Sequence, residues 1–232
     1  CGVAVADTIE QAYAQANACD PVSAFGGIVA LNRPVTRIVA EALAPVFTEV
    51  VVAPAFDADA LEVFASKPNL RVLTAHAPHG VALDMRSIDG GLLVQQADTV
   101  SPDRSTWQVV TATQPTPEQW ADLEFAWQVC AVVSSNAIVY AKDGRALGIG
   151  AGQQNRLDSA RIAADRSAGR ASGGVCASDA LFPFRDGLDA AAAAGIKAVI
   201  QPGGSMRDVE VIAAANDHGI AMVFTSERHF RH

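Results

Sequence analysis

The sequence is poor in the features that mark secreted, membrane-bound and nucleic-acid-binding proteins. It has only four cysteines and no Cys-x-x-Cys pair, so it predicts neither a disulfide framework nor a zinc site. Acidic residues (25) outnumber basic residues (17), and the net charge of −8 argues against nucleic-acid and anionic membrane partners. No apolar run is long enough to span a membrane, and no signal peptide is recognisable. We therefore predict a cytoplasmic protein with reduced, mostly buried thiols at Cys1, Cys19, Cys130 and Cys176.

What the sequence does contain is enough apolar material for a sizeable core. Half of the 232 residues are hydrophobic, which suits one large or two small domains. The polar segment 96–114 is the best internal boundary, so we divide the chain into units 1–105 and 106–232. The chain begins with Cys-Gly-Val-Ala rather than Met, and we expect it to be part of a longer protein.

The pattern of apolar runs predicts an α/β fold. Residues 175–224 alternate short apolar runs with amphipathic segments, which predicts a parallel sheet with right-handed crossovers. The apolar run 50–53 is typical of a strand covered on both faces. Thr116 followed by Pro and, three residues on, Gln119 predicts a capped helix start. Residues 163–174 are small and polar and predict a flexible loop.

The stretch 134–161 carries the strongest local signals. Asp143-Gly144 between two apolar runs predicts a β-hairpin. Glycines then recur at alternate positions, which allows close approach of the backbone to another group: Gly148, Gly150 and Gly152. A helix is predicted to begin near Asp158. A glycine-rich loop before a helix suits an anionic or amide-bearing ligand, but a plain connection between strand and helix stays open. The spacing is not that of the dinucleotide fingerprint.

Several loops are expected to meet at one edge of the predicted sheet. Ligands of parallel α/β sheets bind beyond the carboxyl ends of the strands. Five loops are expected there: Asn136 with its neighbours, and residues 150–156, 179–186, 201–205 and 225–232. Their charged residues include Arg156, Arg185, Arg228, Asp179 and Asp186. We predict a small-molecule site at this edge. His76 and His79 suggest a metal pair, but no third ligand follows at a regular spacing and a loop is favoured.

Four segments closely resemble the transformylase domain of the AICAR transformylase/IMP cyclohydrolase family. They are DPVSAFGGIVAL at 20–31, the segment 135–163 beginning SNAIVYAKDGRALGIG, the segment 178–208 beginning SDALFPFRDG, and HGIAMVFTSERHFRH at 218–232. The resemblance implies two cytidine-deaminase-like α/β subdomains of three-layer architecture and an intertwined homodimer with active sites at its interface. It also implies formyl transfer from 10-formyltetrahydrofolate to the 5-amino group of AICAR, a step of de novo purine (IMP) biosynthesis.

The resemblance assigns expected roles residue by residue. The positions that match nucleotide-binding residues are Gly26, Glu49, Asn136, Arg156, Leu181 and Arg228, the last being matched to a phosphate contact. Glu49 stands where some members have Asp, and Leu181 where many have Phe. The positions that match the folate side are Leu157, Asp186, Ser205 and Met206. A monovalent cation such as potassium is a further implication, near Ser135, Asp179 and His232. We expect no zinc, because the H-x-E and P-C-x-x-C motifs of zinc deaminases are missing.

The resemblance places no catalytic residue in this chain. The Lys-His pair that transfers protons in the family is expected upstream of the position that Cys1 occupies, and the cyclohydrolase domain is expected elsewhere. We therefore expect the isolated chain to retain binding surface and to lack its general base. The alternative is a non-catalytic nucleotide-binding or dimerisation module of the same fold.

Overall fold

The structure, a computed structural model, describes residues 1–77, 80, 82–100 and 103–231. Its first unit is a small parallel sheet with three helices. The elements are α1 (Ile9–Cys19), β1 (Gly27–Ala30), α2 (Arg37–Leu43), β2 (Thr48–Ala53), α3 (Ala58–Ala65) and β3 (Arg71–Thr74). The strands pair in the order β1-β2-β3, all parallel. Val39 and Leu43 of α2 and Phe64 of α3 pack on Val51 of the central strand to form its core.

A two-stranded hairpin follows this unit. It pairs β4 (Leu83–Ile88) with β5 (Gly91–Gln96) in antiparallel register. Every residue of both strands is exposed, including Met85, Leu92 and Leu93. The described residues leave these apolar side chains uncovered, whereas a two-stranded hairpin normally needs a packed face to be stable in water.

The second unit is a six-stranded sheet with helices on both faces. After a 3₁₀ turn (Arg104–Thr106), its elements are β6 (Gln108–Val109), α4 (Pro117–Ala131), β7 (Ile138–Lys142), β8 (Arg145–Gly150), α5 (Arg156–Ser167), β9 (Val175–Ser178), α6 (Asp186–Ala193), β10 (Ala198–Gln201), α7 (Asp208–Asp217) and β11 (Ala221–Phe224). The strand order is β6-β11-β10-β9-β7-β8. The predicted parallel arrangement holds for β9, β10 and β11, but β6 and β7 are antiparallel to their neighbours β11 and β9.

Alternate residues of these strands face two separate cores. Leu123 and Trp127 of α4 pack on one face of the sheet, against residues such as Val139 and Ile200. The helices α5, α6 and α7 cover the other face. The second unit therefore has three layers, and its strands are buried on both sides, which explains their continuous apolar runs.

Two local predictions have opposite outcomes. The capped start of α4 is confirmed, because Thr116 Oγ1 accepts from the Gln119 amide at 3.2 Å and the Gln119 side chain accepts from the Thr116 amide at 2.9 Å. The flexible loop predicted at 163–174 is wrong for its first part, because α5 continues to Ser167. Small residues such as Ala163 let this helix lie directly on the sheet, so their size reflects packing rather than flexibility. No helix in the described part of the chain is long and apolar enough to cross a membrane.

Candidate functional site

The predicted meeting of loops at one sheet edge is present in the structure. The carboxyl ends of β9, β10 and β11 lie at the same edge, and β7 begins there because Ile138 pairs with Ser178. Backbone hydrogen bonds connect the loops that follow. The Thr225 amide donates to the Gln201 carbonyl at 2.9 Å, and the His229 amide donates to the Asp179 carbonyl at 3.1 Å. The edge is thus a layer of mutually bonded loops.

Arg156 is the centre of this layer. It is the first residue of α5, and its side chain is only 6% exposed. Its Nη2 donates to Asp179 Oδ1 at 2.5 Å, its Nη1 to Asn136 Oδ1 at 2.9 Å and its Nε to Ser178 Oγ at 2.6 Å. We call these four residues the Arg156 network. It joins the loop before β7, the start of α5 and the end of β9.

The network balances charge inside the protein. The Asp179 side chain is fully buried, and a buried carboxylate is costly unless a cation and further hydrogen bonds compensate it. The planar guanidinium group of Arg156 supplies both, and these contacts use three of its five N–H donors. The buried part of the network therefore holds Asn136, its half-buried member, in a fixed position at this edge.

Asn136 is oriented from both ends of its amide. Its Oδ1 accepts from Arg156, and its Nδ2 donates to the Gln153 carbonyl at 2.9 Å. Its own carbonyl accepts from Ser159 Oγ at 2.8 Å. The half-buried Asn136 is thus held by the loop before α5 and by the helix itself, which fixes the direction of its remaining donor and acceptor capacity.

Two buried oxygens near this network have no hydrogen-bond partner among the described residues. They are Ser135 Oγ and Asp179 Oδ2. A hydroxyl and a carboxylate oxygen are ligands that a hard cation accepts, so these two positions fit the monovalent cation implied by the resemblance. The third predicted ligand, His232, lies outside the described residues, as does His79 of the predicted His76–His79 pair.

His229 contributes a second buried polar contact at the edge. It is 2% exposed, and its Nδ1 lies 2.9 Å from both carboxylate oxygens of Asp98. Its ring lies edge-on to Trp127 of α4 at 5.0 Å between centroids. Sequence reasoning did not single out Asp98, which is 131 residues away from its partner and belongs to no motif.

The other nucleotide-side predictions in this unit lie at the same edge. Arg228 is exposed, and its guanidinium carbon lies 5.0 Å from the ring centroid of Phe230. Leu181 is half-buried, and the amide of the next residue, Phe182, donates to Gln201 Oε1 at 3.0 Å. Gln201 is fully buried, so it anchors the loop that carries Leu181. Its positioning contact has no signature in the sequence.

The folate-side predictions lie in the first turns of α5 and α6 and in the loop before α7. Leu157 follows Arg156 in α5 and is half-buried, and Asp186 is the exposed first residue of α6. Ser205 Oγ accepts from the Arg207 amide at 3.1 Å, and Met206 is fully exposed. The helix start containing Asp186 is close to the network, because a Cβ atom added at Gly187 would lie 3.9 Å from Arg156 Cγ.

Two predicted residues belong to the first unit, Gly26 just before β1 and Glu49 within β2. Gly26 has φ of +73° and donates from its amide to the Phe47 carbonyl at 2.7 Å. The exposed Glu49 lies in β2, where Oε2 is 3.6 Å from Arg71 Nη1. The predicted nucleotide-side residues are therefore divided between the first and the second unit. Their roles stay predictions.

Two of the alternate glycines have a packing role. A Cβ atom at Gly148 would overlap the backbone oxygen of Ala163, and one at Gly150 would overlap that of Ser159. Both clashes are with α5, so these glycines let the helix lie against β8. The structure supports the plain structural interpretation for these two positions. Gly152, with φ of +65°, makes the turn that follows.

The buried thiols next to the network are neutral. Burial raises the pKa of Cys130 well above its ordinary value, and the negative charge of Asp179 raises it further. Burial likewise raises the pKa of Cys176. Neutral thiols are poor nucleophiles, so these residues serve the core rather than covalent chemistry. Cys19 is also buried, whereas Cys1 is exposed.

Comparison with known proteins places the chain in a family. Residues 1–166 match the family model described as AICARFT/IMPCHase bienzyme. The chain belongs to this family. Three similar relatives are each named bifunctional purine biosynthesis protein PurH: those of Dinoroseobacter shibae (55% identical over 245 residues), Roseobacter denitrificans (53% over 245) and Myxococcus xanthus (52% over 239).

These alignments cover the whole of this chain and 46% of each relative. The chain thus spans about half the length of the curated relatives that it matches. The solved structure of protein ybgI, of unknown function, matches with a TM-score of 0.21 and 11% identity over 88% of this chain and 74% of its own.

Proposed function

We propose that this chain contributes the nucleotide- and folate-binding surface for formyl transfer from 10-formyltetrahydrofolate to AICAR in purine biosynthesis. The observation that carries the proposal is the buried Arg156 network at the edge where the loops meet. Membership of the family and the PurH relatives support the pathway. A ready-made polar cluster beyond the carboxyl ends of parallel strands is the common setting of a ligand site in α/β proteins.

The nucleotide would be held by groups of three kinds. The amide of Asn136 can pair with a carboxamide, which also has one donor and one acceptor end. The exposed Arg228 can form a bidentate pair with a phosphate. The two N–H groups of Arg156 that are not used within the network can bind a further acceptor. These groups bind and orient, and we assign no proton-transfer role to any residue of this chain.

The folate co-substrate would bind at the loops that begin α6 and α7. The exposed carboxylate of Asp186 can accept from pterin N–H groups. Ser205 adds a hydroxyl, and the fully exposed Met206 offers apolar contact area beside it. A monovalent cation at Ser135 Oγ and Asp179 Oδ2 would satisfy two buried oxygens and hold the network's backbone in place.

We also propose that two copies of the chain assemble. The predicted residues Gly26 and Glu49 belong to the unit of the three-stranded sheet and Arg156 to the unit of the six-stranded sheet, so a second copy could supply them to the edge of the first. The exposed apolar hairpin β4–β5 supports association, because large uncovered apolar surface marks interaction sites.

The assembly is tested by sedimentation of the purified chain. We expect a dimer that Leu92→Asp dissociates, because a charge would replace an exposed apolar side chain of β5. Gln96→Asp, at an exposed polar position of the same strand, is the matched control and should leave the dimer intact. A wild-type monomer at micromolar concentration would contradict this proposal.

Binding of AICAR, followed by calorimetry, tests the proposed function itself. We expect the wild-type chain to bind AICAR and Arg228→Ala to weaken it by about tenfold, equivalent to one charged contact. Arg161→Ala is the control, because Arg161 is an exposed arginine on α5 that pairs with Asp158 at 3.4 Å. A wild-type chain that does not bind AICAR would overturn the proposal. Formyl transfer by the isolated chain would mean that it contains a proton-transfer residue after all, and it would leave the proposed binding role standing.

A further inference from the structure

The segment after β11 lies across the whole candidate edge. The Ser226 amide donates to the Pro202 carbonyl at 3.0 Å, and the His229 amide donates to the Asp179 carbonyl at 3.1 Å. Further on, the Arg231 carbonyl accepts from the Ser135 amide at 2.8 Å. The segment thus runs from the end of β10 to the loop before β7. It contacts the Arg156 network through the hydrogen bond between His229 and Asp179.

His229 is the buried side chain of this segment. It is 2% exposed, whereas its neighbours Arg228 and Phe230 are exposed. Because a carboxylate only accepts hydrogen bonds, the 2.9 Å contacts with Asp98 place the proton of the imidazole on Nδ1. The ring also packs against Trp127 of α4. One side chain therefore ties the segment to α4 and to the residues that follow β5.

The position of Arg228 depends on this anchor. An arginine side chain loses rotamer freedom when it is fixed. Because the buried His229 fixes the backbone at the next residue, the Cα atom of Arg228 keeps its position, and the side chain has less freedom to lose on binding. Arg228 stacks on Phe230, and these two exposed residues flank His229 on either side in the chain. Both therefore extend from the backbone that His229 fixes.

We infer that His229, oriented by Asp98, is a positioning residue that directs Arg228 toward the phosphate of a bound nucleoside monophosphate. The inference rests on the proposed function and adds to it a role for His229, to which the resemblance assigned none, and a role for Asp98, which belongs to no motif of the sequence. His229 does not touch the ligand, and its effect passes through the backbone to the neighbouring arginine. It should therefore influence binding of the phosphate and leave binding of the base and ribose unchanged.

The experiment compares AICAR with its dephosphorylated riboside by calorimetry. We expect His229→Leu, which keeps the bulk and loses the hydrogen bond, to weaken AICAR about 5- to 10-fold and the riboside less than about 2-fold. His229→Asn retains an N–H at the Nδ1 position and should restore affinity to within about 2-fold. Asp98→Ala should resemble His229→Leu. Because the Asp98 side chain is 47% exposed, that variant tests the inference even where His229→Leu fails to fold.

The controls separate positioning from general damage. Asp89→Ala removes a carboxylate from the turn between β4 and β5, away from His229, and should not change either affinity. In an Arg228→Ala background, His229→Leu should add less than about 2-fold, because no arginine remains to be directed.

Three results would overturn the inference alone: wild-type affinity in both His229→Leu and Asp98→Ala, equal weakening of both ligands, or an undiminished effect without Arg228. A wild-type chain that binds neither ligand would overturn the proposed function, and this inference with it.

Discussion

Replacement of Arg156 by methionine is the sharpest test of the network at the candidate site. Methionine has a similar length and no charge, so the substitution removes the guanidinium group and keeps most of the packing. It leaves the fully buried Asp179 without its cation and Asn136 Oδ1 and Ser178 Oγ without their donor.

The expected loss follows from these contacts. Breaking a buried ion pair by removing one partner costs about 3–5 kcal/mol, because the other charge stays buried without compensation. Asp179→Asn removes the opposite charge and should cost a similar amount. The double variant Arg156→Met/Asp179→Asn contains neither charge, so we expect it to lose only about 1–3 kcal/mol, the range of buried hydrogen bonds left unmade. The two single losses should therefore be far from additive.

Urea unfolding followed by far-ultraviolet circular dichroism provides the four free energies of this cycle. Arg161→Met, at an exposed arginine of the same helix, should stay within about 0.5 kcal/mol of the wild type. A loss below about 1 kcal/mol for Arg156→Met would refute the reasoning, since it would mean that the pair is not buried in the folded protein. Additive single losses would do the same.

Three further predictions concern stability. Asp122→Ala should cost about 1–3 kcal/mol in urea unfolding, because its buried carboxylate accepts from both turn amides of the β7–β8 hairpin, at 3.0 and 2.9 Å. Gly148→Ala should cost about 1–3 kcal/mol or more in thermal unfolding, because its Cβ would overlap a backbone oxygen of α5; Gly91→Ala, which meets no atom within 4 Å, should cost less than about 1 kcal/mol. The hydrogen bond from Arg185 lowers the pKa of Asp189, so the stabilisation that Asp189 gives is complete above its unfolded pKa of about 3.9 and is lost as the pH falls through the lower folded value. Asp189→Asn should therefore reduce stability slightly at pH 7, by less than about 1 kcal/mol for a carboxylate that is 36% exposed, and should match the wild type near pH 2.

Each of these has a contradicting outcome. Wild-type stability of Asp122→Ala would mean that the turn amides find water as readily as the carboxylate. A tolerated Gly148→Ala would show that α5 can move away from β8 at little cost. A difference between Asp189→Asn and wild type that is larger at pH 2 than at pH 7 would reverse the sign of the linkage.

Local features of the fold were readable from the sequence because a few adjacent residues determine them. The Asp143-Gly144 turn and the capping box at Thr116 depend on backbone geometry within four residues, and both are present. The alternate glycines correctly indicated a close approach at Gly148 and Gly150, but nothing in their spacing shows that the approaching group is α5.

Contacts between distant residues were not readable in this way. Asp179 lies 23 residues from Arg156, and Asp98 lies 131 residues from His229. No periodic pattern in the sequence marks either contact, because the sheet order β6-β11-β10-β9-β7-β8 determines which loops meet. The alternation of strands and helices predicted the parallel core of that order and missed its two antiparallel strands. The start of α5 at Arg156 instead of Asp158 also changes the site, since it places the arginine within the helix.

The contact of α5 with β8 through Gly148 and Gly150 has a consequence for the entropy of binding. Backbone meets backbone at these two positions, so there are no intervening side chains whose rotamers could absorb a shift of the helix. The helix and strand should exchange their amide hydrogens as one cooperative unit. Arg156, fixed at the first turn of that unit, then offers its donors with little ordering left to perform, and a ligand would keep more of its interaction energy as affinity.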